Sequence, residues 1–145
     1  YRGEQLVLVP RFIGGTPPEY GGKGGWYPQS PWELRTVVVL EATPNNSGHP
    51  YGKRRMYLDR QTYAAFYVFM YDRDGKHWRT LLHTFGNPAE DPGNADVKGT
   101  HLHLGNACLD YKRNTAAIWS ADKIEINKPM KPRAFTIKHM MRLGK

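Results

Sequence analysis

Residues 54–85 read RRMYLDRQTYAAFYVFMYDRDGKHWRTLLHTF, and the fold turns on how this run pairs with itself. It reads as three antiparallel strands joined by two tight turns, Asp59-Arg60-Gln61-Thr62 and Asp72-Arg73-Asp74-Gly75. The second turn has type I residues followed by a glycine suited to a left-handed conformation, the pattern of a three-residue hairpin loop. Such a loop sets Asp72 opposite Lys76. The register then places Met70 opposite Trp78, Val68 opposite Thr80 and Phe66 opposite Leu82. Even-numbered residues share one mostly apolar face across both strands.

The strand at residues 62–71 has two unlike faces. Ala64, Phe66, Val68 and Met70 make one side aliphatic. Tyr63, Ala65, Tyr67, Phe69 and Tyr71 make the other aromatic, with hydroxyl tips. Neither resembles a solvated face. Either the chain covers this strand on both sides, or one side lines an apolar cavity.

Outward from this core, residues 4–9 (EQLVLV) form a short strand closed by Pro10. Residues 14–31 hold six glycines and four prolines, a composition that excludes helix and sheet interior. Trp26, Tyr27 and Trp32 would let this loop fold down on an apolar surface, as a lid over a cavity does. Residues 32–43 (WELRTVVVLEAT) are the next strand. Residues 86–99 are a polar, turn-rich loop. Strands resume at 100–110, where Gly105 marks a bend or bulge, and at 115–121. In the tail, Phe135, His139 or Met140, and Leu143 have helical spacing, which predicts a short amphipathic helix docked on the sheet. The fold class is mainly β: a single domain, residues 1–145, of seven or eight strands in an antiparallel meander. No strand–helix–strand alternation occurs.

With 21 Lys+Arg against 13 Asp+Glu, the 145-residue chain carries +8. That charge favours anionic partners: phospholipid headgroups, nucleic acid or an acidic protein. The single cysteine, Cys108, excludes an internal disulfide. No apolar run approaches the ~20 residues of a membrane helix. The first residue, Tyr1, is not a methionine and reads as the start of a mature form or fragment.

Little in the sequence assembles chemistry. His101-x-His103 could offer two imidazoles from one strand to a metal, with Cys108 or His83 as further donors, but no third ligand has a diagnostic spacing. Asp72/Asp74 and Glu90/Asp91 fall in turns. No nucleophile, base and orienting group come together, so the expectation is a protein that is not an enzyme and uses no cofactor or metal. Nucleic-acid binding is a third-ranked reading. The aromatic face of the 62–71 strand lacks interleaved Lys or Arg, and its partner strand adds only His77, Arg79 and His83.

Residues 33–80 resemble the C-terminal part of a bacterial family, domain of unknown function 1329. The resemblance rests on Glu33-Leu34-Arg35, Glu41-Ala42-Thr43-Pro44, His49-Pro50-Tyr51 with the basic residues after it, Tyr57-Leu58-Asp59, and Tyr71-Asp72-Arg73-Asp74-Gly75 with Trp78. The ending, from Phe135 through Arg142-Leu143-Gly144, is similar to that family's close, and residues 86–121 match in pattern only. The family is similar to outer-membrane lipoprotein-sorting carriers. It implies a curved antiparallel half-barrel, a periplasmic place in a Gram-negative cell envelope, an apolar cavity and a membrane exporter as partner.

On that resemblance the chain is a carrier of lipid or another hydrophobic molecule. Its groove would be lined by Val38, Leu40, Met56, Leu58, Phe66, Val68, Met70, Trp78 and Leu82. Lys53, Arg54 and Arg79 would attract an anionic headgroup. The same apolar residues could equally form an ordinary core. The family's longer N-terminal part does not precede Tyr1 in this sequence, so the missing part or a partner chain is expected to cover what remains exposed. A structural or interaction module, with its apolar face filled by another polypeptide, is the alternative.

Overall fold

The computed structural model describes residues 1–13, 18–90, 97 and 99–144. Among the described residues nine strands lead to one α-helix. They are β1 (Glu4–Ile13), β2 (Tyr20–Gly21), β3 (Tyr27–Pro28), β4 (Trp32–Ala42), β5 (Lys53–Asp59), β6 (Ala65–Tyr71), β7 (His77–Asn87), β8 (Leu102–Asp110) and β9 (Thr115–Ser120), then α1 (Ile137–Leu143). Strands β4 to β9 form a consecutive antiparallel meander, and β1 joins the edge of β4. The expected mainly β fold, with a curved sheet and a short C-terminal helix, is what the chain adopts.

Both predicted turns form. Asp59 closes the first: its Oδ2 accepts from the amides of Gln61 and Thr62 and from the Thr62 hydroxyl. Arg35 donates Nε and Nη2 to the two Asp59 oxygens at 3.0 and 2.9 Å. Burial works against charge on Asp59, yet the bonds from Arg35 and Thr62 prevail and its pKa is lowered. Gly75 takes the left-handed conformation, with φ of 78°, and the Asp72 amide donates to the Lys76 carbonyl at 2.9 Å. The Asp72 carboxylate also accepts from the amides of Asp74 and Lys76.

Beyond that turn the register departs from expectation. Tyr71 faces His77 as a plain hairpin requires, but Met70 then faces Arg79, Phe69 faces Thr80 and Val68 faces Leu81. The extra residue is Trp78. Its indole donates to Asp110 Oδ1 at 3.1 Å and packs edge-on to Tyr51, 5.1 Å between centroids. Lys112 and Arg79 lie over the ring at 4.5 and 4.7 Å. A bulge that gives the indole these partners moves each later β7 side chain to the opposite face. Odd residues of β7, not even ones, therefore continue the even face of β6.

Two edges of the sheet meet. Pro10 has no amide to offer a ladder, and there β1 leaves β4. Its Arg11, Phe12 and Ile13 run parallel to Phe85, Gly86 and Asn87 of β7. This closure makes the sheet barrel-like, and the strand predicted to end before Pro10 continues through it. The predicted strand at 62–71 begins instead at Ala65, because Tyr63 takes a positive φ of 59° in the turn. The polar loop begins after Asn87. Much of it, residues 91–96 and 98, lies outside the described residues, as do residues 14–17 of the glycine-proline loop. The described part of that loop packs Pro18 and Tyr20 against Gly105, where the β7–β8 register slips.

Most of the core lies on one face. Val9, Val37, Val39, Leu82, Leu104, Ala107 and Leu109 are all buried. The aromatic face of β6 belongs here: Tyr57, Tyr67 and Phe69 pack edge-on and stacked. The Tyr67 hydroxyl donates across the interior to the Leu8 carbonyl, and burial pushes its pKa up to about 12. Helix α1 differs from expectation. It does not dock: none of its residues is buried.

Candidate functional site

The face of the sheet opposite the core carries a row of apolar side chains. Leu40 of β4 pairs with Met56 of β5, Met56 with Val68 of β6, Val68 with Leu81 of β7, Leu81 with Cys108 of β8, and Cys108 with Ala117 of β9. Through Cys108 each is half-buried, and Ala117 is exposed. Val38 and Leu58 pair beside the row. Toward the β1 edge, Leu6, Leu8 and Leu34 on the same face are 69%, 55% and 64% exposed. Strand pleating alone explains the coherence. Side chains alternate, so a register held across six strands aligns one apolar column.

The predicted groove residues divide on this face. Val38, Leu40, Met56, Leu58 and Val68 lie together. Met70 lies on the same face, is buried, and is flanked by Arg54 and Arg79 in register. Leu82 does not belong with them: the bulge turns it into the core, and Leu81 takes its place. Trp78 sits in the bulge against Asp110. Phe66 is buried beside the bulge at the start of β6, edge-on to Phe85 at 5.5 Å. Leu81 could not be found from sequence, because the slip occurs at Trp78, whose indole bonds to Asp110, 32 residues beyond it.

The three predicted cations are not equivalent. Arg79 donates Nε to Asp110 at 2.8 Å and Nη1 to the Tyr51 hydroxyl at 2.9 Å. Burial opposes charge on Asp110, but the Arg79 bond and the Arg113 amide prevail and its pKa is lowered. Lys53 falls on the opposite face, 3.4 Å from Glu41. Bonds from Arg2 and then Arg55 bring the Glu41 pKa down to about 2. Arg54 is exposed and lies over the Tyr51 ring at 5.1 Å. Among the described residues no carboxylate is within 4.0 Å of it.

Beyond the apolar row, His83 Nδ1 and His103 Nε2 are 3.1 Å apart, with Trp119 5.2 Å from His103. One nitrogen must donate and the other accept. Burial, then the charge of His103, lowers the His83 pKa to about 4. His101 stacks on Phe85 at 5.1 Å. Among the described residues no three His, Cys, Asp or Glu side chains converge as metal ligands. A crevice of about 370 Å³ at one end of the closed sheet is lined by Arg11, Glu33, Arg35, Glu90, Phe85 and His101. Its charges pair internally, Arg11 with Glu33 and Glu90, and Arg35 with Glu33 and Asp59.

The sheet is curved and mainly antiparallel, and its outer face leaves an apolar column half in water. The chain is similar in structure to a domain described as a putative outer membrane lipoprotein-sorting protein domain from Vibrio parahaemolyticus, with a TM-score of 0.58 and 19% sequence identity. The likeness covers 74% of this chain and 43% of that one, so this chain spans less than half of the matched structure. At such identity the likeness shows the fold. The chain itself belongs to the family Protein of unknown function (DUF1329), whose model matches residues 16–140. No curated protein matches the sequence.

Proposed function

We propose that this protein is a non-enzymatic carrier of the Gram-negative cell envelope that holds lipid or another hydrophobic molecule against the open apolar sheet face. The observation that carries the reading is the Leu40–Met56–Val68–Leu81 column, continuous across four strands and only half-buried. The fold shared with a lipoprotein-sorting domain supports it. Acyl chains laid on that column leave water, each buried CH₂ contributing ~0.8 kcal/mol. Arg54, at the margin of the column and free of any described carboxylate, suits an anionic headgroup better than Arg79 or Lys53. A periplasmic location and a membrane exporter as delivery partner belong to the same proposal.

The second reading is a β-module whose apolar face is covered by another polypeptide. It draws on the continuation of that face onto exposed Leu6, Leu8 and Leu34, a breadth suited to a packed protein layer. Solvent extraction and mass spectrometry of the purified protein separate the two. A carrier yields a stoichiometric lipid, and Val68→Glu abolishes it while circular dichroism stays unchanged. A polypeptide-covered module yields no lipid from either form.

A further inference from the structure

The last part of the chain combines two features that the sheet does not use. After Glu125 the sequence has no acidic residue, and it carries Lys128, Lys131, Arg133, Lys138 and Arg142. The same stretch displays Met130, Phe135, Ile137, Met140, Met141 and Leu143, each between 61% and 78% exposed. Side chains of this size rarely stay in water without a partner, and here they sit together on one short segment.

The segment is locally organised and separate from the core. Thr136 caps α1, its hydroxyl accepting from the His139 amide at 3.3 Å. The described hydrogen bonds of residues 134–144 all run to neighbours within four residues. At 100° per residue, Ile137, Met140, Met141 and Leu143 occupy one side of α1. Lys138, His139 and Arg142 occupy the other. The polar side is wholly basic or neutral, and more cations precede the helix.

We infer that residues 128–143 form a peripheral membrane-binding segment selective for anionic bilayers. The apolar side enters the headgroup boundary while the cations on the opposite side meet lipid phosphates. Charge complementarity favours this occupant. Lys128 pairs with Glu125 at 2.6 Å, but among the described residues no carboxylate pairs with Lys131, Arg133, Lys138 or Arg142, a run that matches a uniformly negative surface. Methionines adapt to an irregular environment such as lipid. Among the described residues no helix is long and apolar enough to cross a membrane, and the seven-residue amphipathic α1 suits a contact in the plane of the surface. The inference stands apart from the carrier reading, because it concerns a different segment of the chain and needs no cargo.

The test is sedimentation of the intact protein with vesicles of phosphatidylcholine alone or with about one-third phosphatidylglycerol. The inference expects binding to the anionic vesicles and at least tenfold less, to order of magnitude, to the neutral ones. Lys138→Gln with Arg142→Gln should weaken binding roughly 25-fold, at about fivefold per cation. Met140→Gln with Met141→Gln should weaken it by about tenfold. Because these side chains are exposed, thermal unfolding should not move in either variant. Val68→Glu, on the sheet face, should leave vesicle binding intact even if it abolishes cargo uptake. Equal binding to both vesicles, indifference to the tail substitutions, or loss on Val68→Glu overturns the inference. So does tail-dependent self-association without vesicle binding, which would assign the segment to a second copy of the chain.

Discussion

The two faces of the sheet solve opposite problems. On the inner face Val37, Val39, Leu82, Ala107 and Leu109 are buried, and several polar groups among them are paired. Thr84 donates to the Gly105 carbonyl, Tyr67 to Leu8, and Arg35 to Asp59. On the outer face Leu40, Met56, Val68 and Leu81 are equally apolar yet remain half in water. The same residue types thus serve as finished core on one side and as unspent hydrophobic surface on the other. Composition cannot separate these two states; register and coverage do.

Substitutions that strike one face at a time sharpen this contrast. The largest loss should follow Asp59→Ala, which leaves Arg35 and the Thr62 donors without their acceptor. Removing one partner of such a pair costs about 3–4 kcal/mol, read as a lower urea midpoint. Next comes Leu82→Ala, about 3 kcal/mol for a truncation inside the packed face.

A smaller effect comes from pH. The folded-state pKa of His83 is depressed, so the unfolded chain binds a proton first. Stability is fully present above the ordinary histidine pKa of about 6.5 and is lost as pH falls toward 4. Discounted for partial exposure, the loss is about 1 kcal/mol, and His83→Phe should flatten that limb of the stability curve. Least of all for stability, Leu81→Ala should cost under about 1 kcal/mol while clearly weakening uptake of a fluorescent fatty acid. If Leu81→Ala and Leu82→Ala prove equally destabilising, the two faces are not distinct.

Local chemistry was legible in the sequence. Asp72 through Gly75 specify their loop by turn residues alone, and Asp59 closes its turn as its position suggested. The even-numbered stripe on β4, β5 and β6 also follows from alternation, which is why Val38, Leu40, Met56, Leu58 and Val68 were found together. The misplacement of Leu82 and Trp78 has one cause. A bulge is stabilised by Asp110, a residue distant in sequence, and no hairpin rule contains it. The helix was legible as amphipathic, but docking is a statement about a surface that periodicity does not describe. The pairing of Lys53 with Glu41 and of Arg79 with Asp110 was likewise hidden, since charge counts do not say which cations are already neutralised.

The short parallel seam between Arg11–Ile13 and Phe85–Asn87 has a kinetic consequence. Its two halves are roughly seventy positions apart, so closing that loop costs about 4 kcal/mol in chain entropy, against a ladder of three residue pairs. The meander can assemble first from neighbouring hairpins, and the seam should zip last and fray first. Amide exchange at Phe12 should therefore outpace that at Val39.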